Sequence, residues 1–109
     1  MAIKLNHTIV NVKSKKDSAR FFTELFGLPP AKPLFGHFLS VEVSNGVTLD
    51  FCDAECEPEK QHYAFLVSEK EFDAIFGRIK ERGMDYWADP AKKQKGKINR
   101  QIITRPYGG

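Results

Sequence analysis

The sequence predicts an α+β fold in which two like units, each a strand followed by a helix and further strands, pack into a single domain. Three observations carry this expectation. The chain nearly repeats itself: Leu5, Asn6, His7, Thr8, Ile9, Val10, Asn11, Val12 has a counterpart in Lys60, Gln61, His62, Tyr63, Ala64, Phe65, Leu66, Val67, with a valine five residues after each histidine. Each copy then changes to helical periodicity and meets a glycine, Gly27 lying 20 residues after His7 and Gly83 lying 21 after His62. With 109 residues there is material for one domain, and a unit of half that length is too small to bury its own face. Pairing the units would bring the two histidines to one shared site.

Residues 3–12 alternate as a strand, with Ile3, Leu5, His7 and Ile9 on one face and Lys4, Asn6, Thr8 and Val10 on the other. Ser14, three residues before Asp17, starts a helix on which Ala19, Phe22, Leu25 and Phe26 recur at helical spacing. Gly27 ends it, and Pro29, Pro30 and Pro33 forbid its continuation. Strands at 38–43 and 47–51 flank Ser44-Asn45-Gly46, where Asn-Gly is a strong hairpin signal. The acidic stretch 53–61, with Pro58, is the linker between units, which gives a first module at 1–53 and a second at 60–109. The second opens with a strand at 61–67, His62, Ala64 and Leu66 on one face and Tyr63, Phe65 and Val67 on the other. Ser68 and Glu71 form a capping box, and Phe72, Ile75, Phe76 and Ile79 make the apolar stripe of a second helix closed by Gly83. A short strand at 85–88 ends at Asp89-Pro90, a basic loop fills 91–100, and Ile102, Ile103 and Thr104 form a last brief strand before Pro106.

Composition narrows the function classes. A chain with 41% hydrophobic and 28% charged residues is an ordinary globular one, so it is expected to fold. The net charge of +3 comes largely from Lys92, Lys93, Lys95, Lys97 and Arg100, which have no interleaved aromatics and no nucleic-acid module around them. They read as a solvated loop, with no nucleic-acid partner. Met1-Ala2-Ile3-Lys4 is no secretory leader and no apolar run reaches membrane-spanning length, so the expected location is the cytoplasm, away from any membrane. Cys52 and Cys56, four apart in an acidic stretch, suit neither a zinc knuckle nor a disulfide framework and read as reduced thiols.

The paired units with His7 and His62 early in each first strand resemble the vicinal oxygen chelate superfamily, which includes glyoxalase I, bleomycin-resistance proteins, fosfomycin-resistance enzymes and extradiol dioxygenases. The resemblance covers nearly the whole chain. It is carried by Leu5-Asn6-His7, by Gln61-His62-Tyr63-Ala64-Phe65-Leu66-Val67, by Glu71-Phe72-Asp73, by Tyr86-Trp87-Ala88-Asp89-Pro90, and by the closing Ile102-Ile103-Thr104-Arg105-Pro106-Tyr107-Gly108. It implies paired βαβββ modules whose curved mixed sheet encloses a cleft, within a homodimer, with the second module shortened. In metal-dependent members a histidine from the first strand of each module and a carboxylate from the last strand hold one divalent ion. His7 and His62 match as ligands. The carboxylate does not match, because Asn99-Arg100-Gln101 runs straight into Ile102 where the family has a strand, a turn and the acid. Either Gln101 takes that position with a neutral carbonyl oxygen, or residues that belong between Gln101 and Ile102 are missing.

Histidine suits zinc, nickel, iron or manganese, and a catalytic centre takes three protein ligands and keeps one position open. A lone strand histidine is more often packed and hydrogen-bonded beside neighbours such as Leu5 and Ile9; the match between His7 and His62 is what favours a metal. Asp50 shares a strand face with Thr48 and Cys52 and could complete a set of two histidines and a carboxylate, although its ordinary role is a solvated residue at a strand edge. His37 reads as a surface or cleft-rim residue. Phe22, Phe26, Phe72 and Phe76 lie on helix stripes and belong to the core. Phe38, Phe51 and Trp87, on strands, could line the substrate cleft or pack the sheet. Arg105 and Tyr107 could meet an anionic substrate or the partner subunit.

Two functions follow, beside a third possibility, a decayed or regulatory relative that keeps only the dimer scaffold. In the first, the protein is a metal-dependent enzyme of lyase, thiol transferase or dioxygenase type, chelating substrate oxygens on the divalent ion. In the second, it is a metal-free protein of the bleomycin-resistance kind that sequesters a small molecule. The sequence contains no Ser-His-Asp set and no glycine-rich phosphate loop, and no catalytic residue is assigned from it.

Overall fold

The structure is a computed structural model and describes residues 2–87 and 95–98. Its elements are β1 (His7–Val12), α1 (Lys15–Phe26), β2 (Lys32–Leu34), β3 (Phe38–Glu42), β4 (Thr48–Asp53) and α2 (Glu69–Glu81). The four strands form one mixed, open sheet in the order β1-β4-β3-β2, with β1 parallel to β4 and the other pairs antiparallel. This is the α+β class expected, and its first module is the βαβββ unit complete. The chain divides into two compact units, Met1–Ile75 and Phe76–Gly109.

β1 starts four residues later than its alternation allows. Its ladder partner β4 begins at Thr48, opposite His7, and the last bond on that side runs from the Thr48 N–H to the Asn6 carbonyl at 3.0 Å. Among the described residues nothing pairs with the chain before that point. The register also decides which face is inside: Val10 lies beside Phe51 and Thr8 beside Leu49, so Thr8, Val10 and Val12 turn towards α1. His7, Ile9 and Asn11 turn away.

Helix α1 has the ends its sequence calls for. The Ser14 side chain accepts from the Asp17 N–H at 3.3 Å, and the Asp53 carboxylate accepts from the Lys15 N–H at 2.8 Å, which ties the end of β4 to the start of the helix. Gly27 closes it at φ 68°, a left-handed conformation that a Cβ would disfavour, with its N–H bonded to the Thr23 carbonyl. The buried core, Ala19, Val41, Leu49 and Phe51, lies between α1 and β3–β4, ringed by Val10, Val12, Phe22, Leu28, Ala31 and Leu39.

β2 is a strand the proline-rich stretch conceals. Pro33 has no N–H to give, and it is tolerated because β2 lies at the sheet edge and pairs only with β3. The turn after it places Phe35 at φ 51° and Gly36 at φ 71°, closed by the His37 N–H on the Leu34 carbonyl at 3.2 Å. Positive φ at both central residues suits a hairpin but normally selects Asn, Asp or Gly at the first of them, so Phe35 hides the signal. The β3–β4 hairpin forms where Asn45-Gly46 announced it, with Gly46 at φ 82° and its N–H on the Val43 carbonyl.

Helix α2 is capped as expected: the Glu71 N–H donates to the Ser68 hydroxyl at 3.1 Å and the Ser68 N–H reaches the Glu71 carboxylate at 3.4 Å. Gly83 and Met84 donate back to Lys80 and Ile79, the paired bonds of a Schellman stop. The stripe Phe72, Ile75, Phe76 and Ile79 is half-buried, and no residue of α2 is fully buried, so Phe72 and Phe76 fall short of the core placement expected of them.

Among the described residues no strand forms at 61–67, where one was expected. A strand exists only where a neighbour pairs with it, and among the described residues nothing pairs with this segment. Of the strand expected at 85–88, the described residues show a bridge between Trp87 and Lys95, where Lys95 Nζ also sits 3.5 Å from Asp85 and 5.9 Å over the Trp87 ring. The expected turn at Asp89-Pro90, most of the basic loop and the strand at Ile102, Ile103 and Thr104 lie outside the described residues. Among the described residues no helix is long and apolar enough to cross a membrane.

Candidate functional site

Strand pairing brings the polar candidates of the first unit together on the sheet face turned away from α1. Residues opposite one another in a ladder share a face, so His7, Ile9 and Asn11 of β1 stand beside Thr48, Asp50 and Cys52 of β4, which stand beside Glu42, Ser40 and Phe38 of β3. Asp50 is at the centre, between Ile9 and Ser40. It is 4% exposed, and its Oδ1 has no hydrogen-bond partner. The solvated strand-edge role is thus corrected: β4 has a strand on each side, and Asp50 is buried.

His7 is exposed at the start of β1, two residues along from Asp50's own neighbour Ile9. Strand spacing and rise put the His7 and Asp50 Cα atoms about 8 Å apart. The His7 Nδ1 lies 2.6 Å from the Asn6 side-chain oxygen, an acceptor that pairs with a hydrogen on Nδ1.

His62 is not brought to them by any described contact. It is exposed, and Phe65, three residues on, packs against α1, its ring 5.4 Å from Phe22 and 5.0 Å from Phe26. That is across the sheet from His7. Among the described residues no three of His, Cys, Asp and Glu gather closely enough to hold a metal ion. His7 and the orphaned oxygen of Asp50 offer two donors on one face, which is short of the three that a divalent centre takes, so the described residues of one chain do not complete such a centre. Gln101, Arg105 and Tyr107 lie outside the described residues.

The aromatic candidates separate. Phe38 is half-buried on the Asp50 face, with His37 edge-on at 6.4 Å. Phe51 is not a cleft residue: it is 5% exposed on the α1 side, with its ring 5.8 Å from Phe22. Trp87 belongs to the second unit, with Lys95 as its neighbour. Cys52 and Cys56 are free thiols. Ser40 and Ile9, which flank Asp50, went unnoticed in the sequence because cross-strand register is not written in local spacing.

Fifteen solved chains resemble this one, among them the following three. One named Oxidase ChaP-H2 is 52% identical, with a TM-score of 0.86 over 91% of this chain and 77% of that one. One named Oxidase ChaP-H1 is 46% identical, with a TM-score of 0.90 over 99% of this chain and 100% of that one. A possible glyoxalase from Bacillus cereus is 27% identical, with a TM-score of 0.58 over 78% of this chain and 80% of its own. No curated protein matches. The model of the Glyoxalase/Bleomycin resistance protein/Dioxygenase superfamily matches residues 4–108, and with a βαβββ unit in place and a histidine on its first strand, the chain belongs to that superfamily.

Proposed function

We propose that the chain is an enzyme that oxidises a small organic molecule held against the His7 and Asp50 face, with dioxygen as the electron acceptor. The similarity to two solved chains named oxidases, over 91% and 99% of this chain, is the observation that carries the reading. It favours the redox branch of the superfamily over lyase and thiol-transferase chemistry. Part of the same reading is a divalent ion, whether zinc, nickel, iron or manganese, with His7 and His62 as ligands. Because Phe65 ties the neighbourhood of His62 to the α1 side, the reading takes His62 from a second copy of the chain, which gives a homodimer a reason to exist. Gln101 then takes the family's carboxylate position, and Asp50 serves as the polar residue of the cleft. Free Cys52 and Cys56 fit a reducing compartment, the cytoplasm.

The test is metal content and oxygen uptake on the full chain, with a panel of small phenols, enols and thiols as substrates. Stoichiometric metal and catalysed uptake, both lost in His7→Ala and in His62→Ala, are the expected result. Metal retained in both variants, or uptake across the panel no faster than in buffer, overturns it. The apolar Ile9 exposed on the same face supports a second reading, sequestration without turnover. Its mark is ligand-induced stabilisation that a chelator leaves unchanged, without oxygen uptake.

A further inference from the structure

Resting on the small-molecule reading above, we propose that Asp50 is the positioning residue for the ligand: its buried Oδ1 accepts a hydrogen bond from a hydroxyl group on a flat, otherwise apolar molecule laid on this sheet face. Buried polar atoms are nearly always paired, and the few that are not call for a donor from elsewhere. Asp50 has no such donor within the described chain. Ser40, directly across the ladder, does not bond to it, and Lys32, which shares the face two strands away, is exposed and makes no ion pair with it.

The surroundings choose the kind of donor. Ile9 on one side is 48% exposed, and Phe38 lies diagonally across on β3 beyond Ser40, so apolar surface adjoins the Asp50 acceptor from both neighbouring strands. Binding sites of this kind take most of their contact from apolar area and their orientation from a few fixed polar atoms. A hydroxyl at the edge of a ring fits both parts. The step is one of binding, in which a hydrogen bond forms and no covalent bond changes.

The experiment compares two probes on the full chain by calorimetry, in excess EDTA so that no metal ion contributes: 2-naphthol, and 2-methoxynaphthalene, which lacks the donor. The wild-type chain is expected to bind 2-naphthol about tenfold or more tightly than the ether, since a buried acceptor rejects a partner that cannot satisfy it. Asp50→Leu is expected to bind the two alike, and Asp50→Asn, closest in shape, to lose most of the preference; circular dichroism confirms that each variant is folded. Equal affinity in the wild type, or a preference unchanged in both variants, overturns the role of Asp50 and leaves the cleft reading standing. Failure of 2-naphthol to bind overturns both the ligand class and a small-molecule site on this face.

Discussion

Asp50→Leu is expected to make the free protein more stable. Leucine has as many side-chain heavy atoms as aspartate on the same branching pattern, so the change removes the unpaired oxygen and adds only the extra volume of its methyl groups beside Ile9, which is 48% exposed and has room to yield. A buried acceptor without a partner costs about 1–3 kcal/mol, and replacing it by an apolar group recovers that amount. The unfolding entropy of about 2.1 cal/mol/K per residue comes to about 0.23 kcal/mol/K for 109 residues. A gain of about 2 kcal/mol therefore raises Tm by about 9 °C. The assay is thermal unfolding by circular dichroism at one protein concentration, because self-association shifts Tm, together with a urea midpoint at unchanged m-value. A Tm equal to or below that of the wild type would refute the claim that this oxygen lacks a partner in the free chain. The gain in stability accompanies the loss of ligand discrimination, the exchange expected where an unsatisfied group is kept for binding.

Two further outcomes test the fold that positions this face. Phe35→Asn should stabilise the chain by about 1 kcal/mol in urea unfolding, because it relieves a bulky residue at φ 51° and surrenders little packing from a side chain that is 83% exposed; a loss of stability would mean that the Phe35 ring has contacts worth more than its strain. Phe51→Ala should cost about 3–5 kcal/mol by the same measurement, since it empties the contact between β4 and Phe22 of α1; a cost below about 1 kcal/mol would return Phe51 to the cleft side of the sheet.

The segments whose structure is held by neighbours in sequence were legible before any coordinates. Both helices begin and end where their side chains say, at Ser14 and Gly27 and at Ser68 and Gly83, because a cap is a bond between residues three to five apart. The β3–β4 turn at Gly46 is local for the same reason. The superfamily was also readable, since the order of the motifs along the chain carries it.

Strands depend on what lies beside them, and there the sequence was a poor guide. Residues 61–67 alternate well and form no ladder among the described residues, while Lys32–Leu34 contains a proline and does pair, because β3 lies alongside. The side of the expected 3–12 strand that reads as the more apolar, with Ile3, Leu5 and Ile9, is the exposed one: within β1 the register with β4 turns Val10 onto Phe51, and Ile3 and Leu5 precede the strand. Sequence alone determined the helices, their stops and the kinship of the chain; tertiary structure decided which strands exist, which face is buried, and that Asp50 sits between two strands with an oxygen unpaired. The reason is range: caps and turns are settled by bonds across a few residues, whereas partner and register are settled by chain segments some 40 residues away, as His7 beside Thr48 shows.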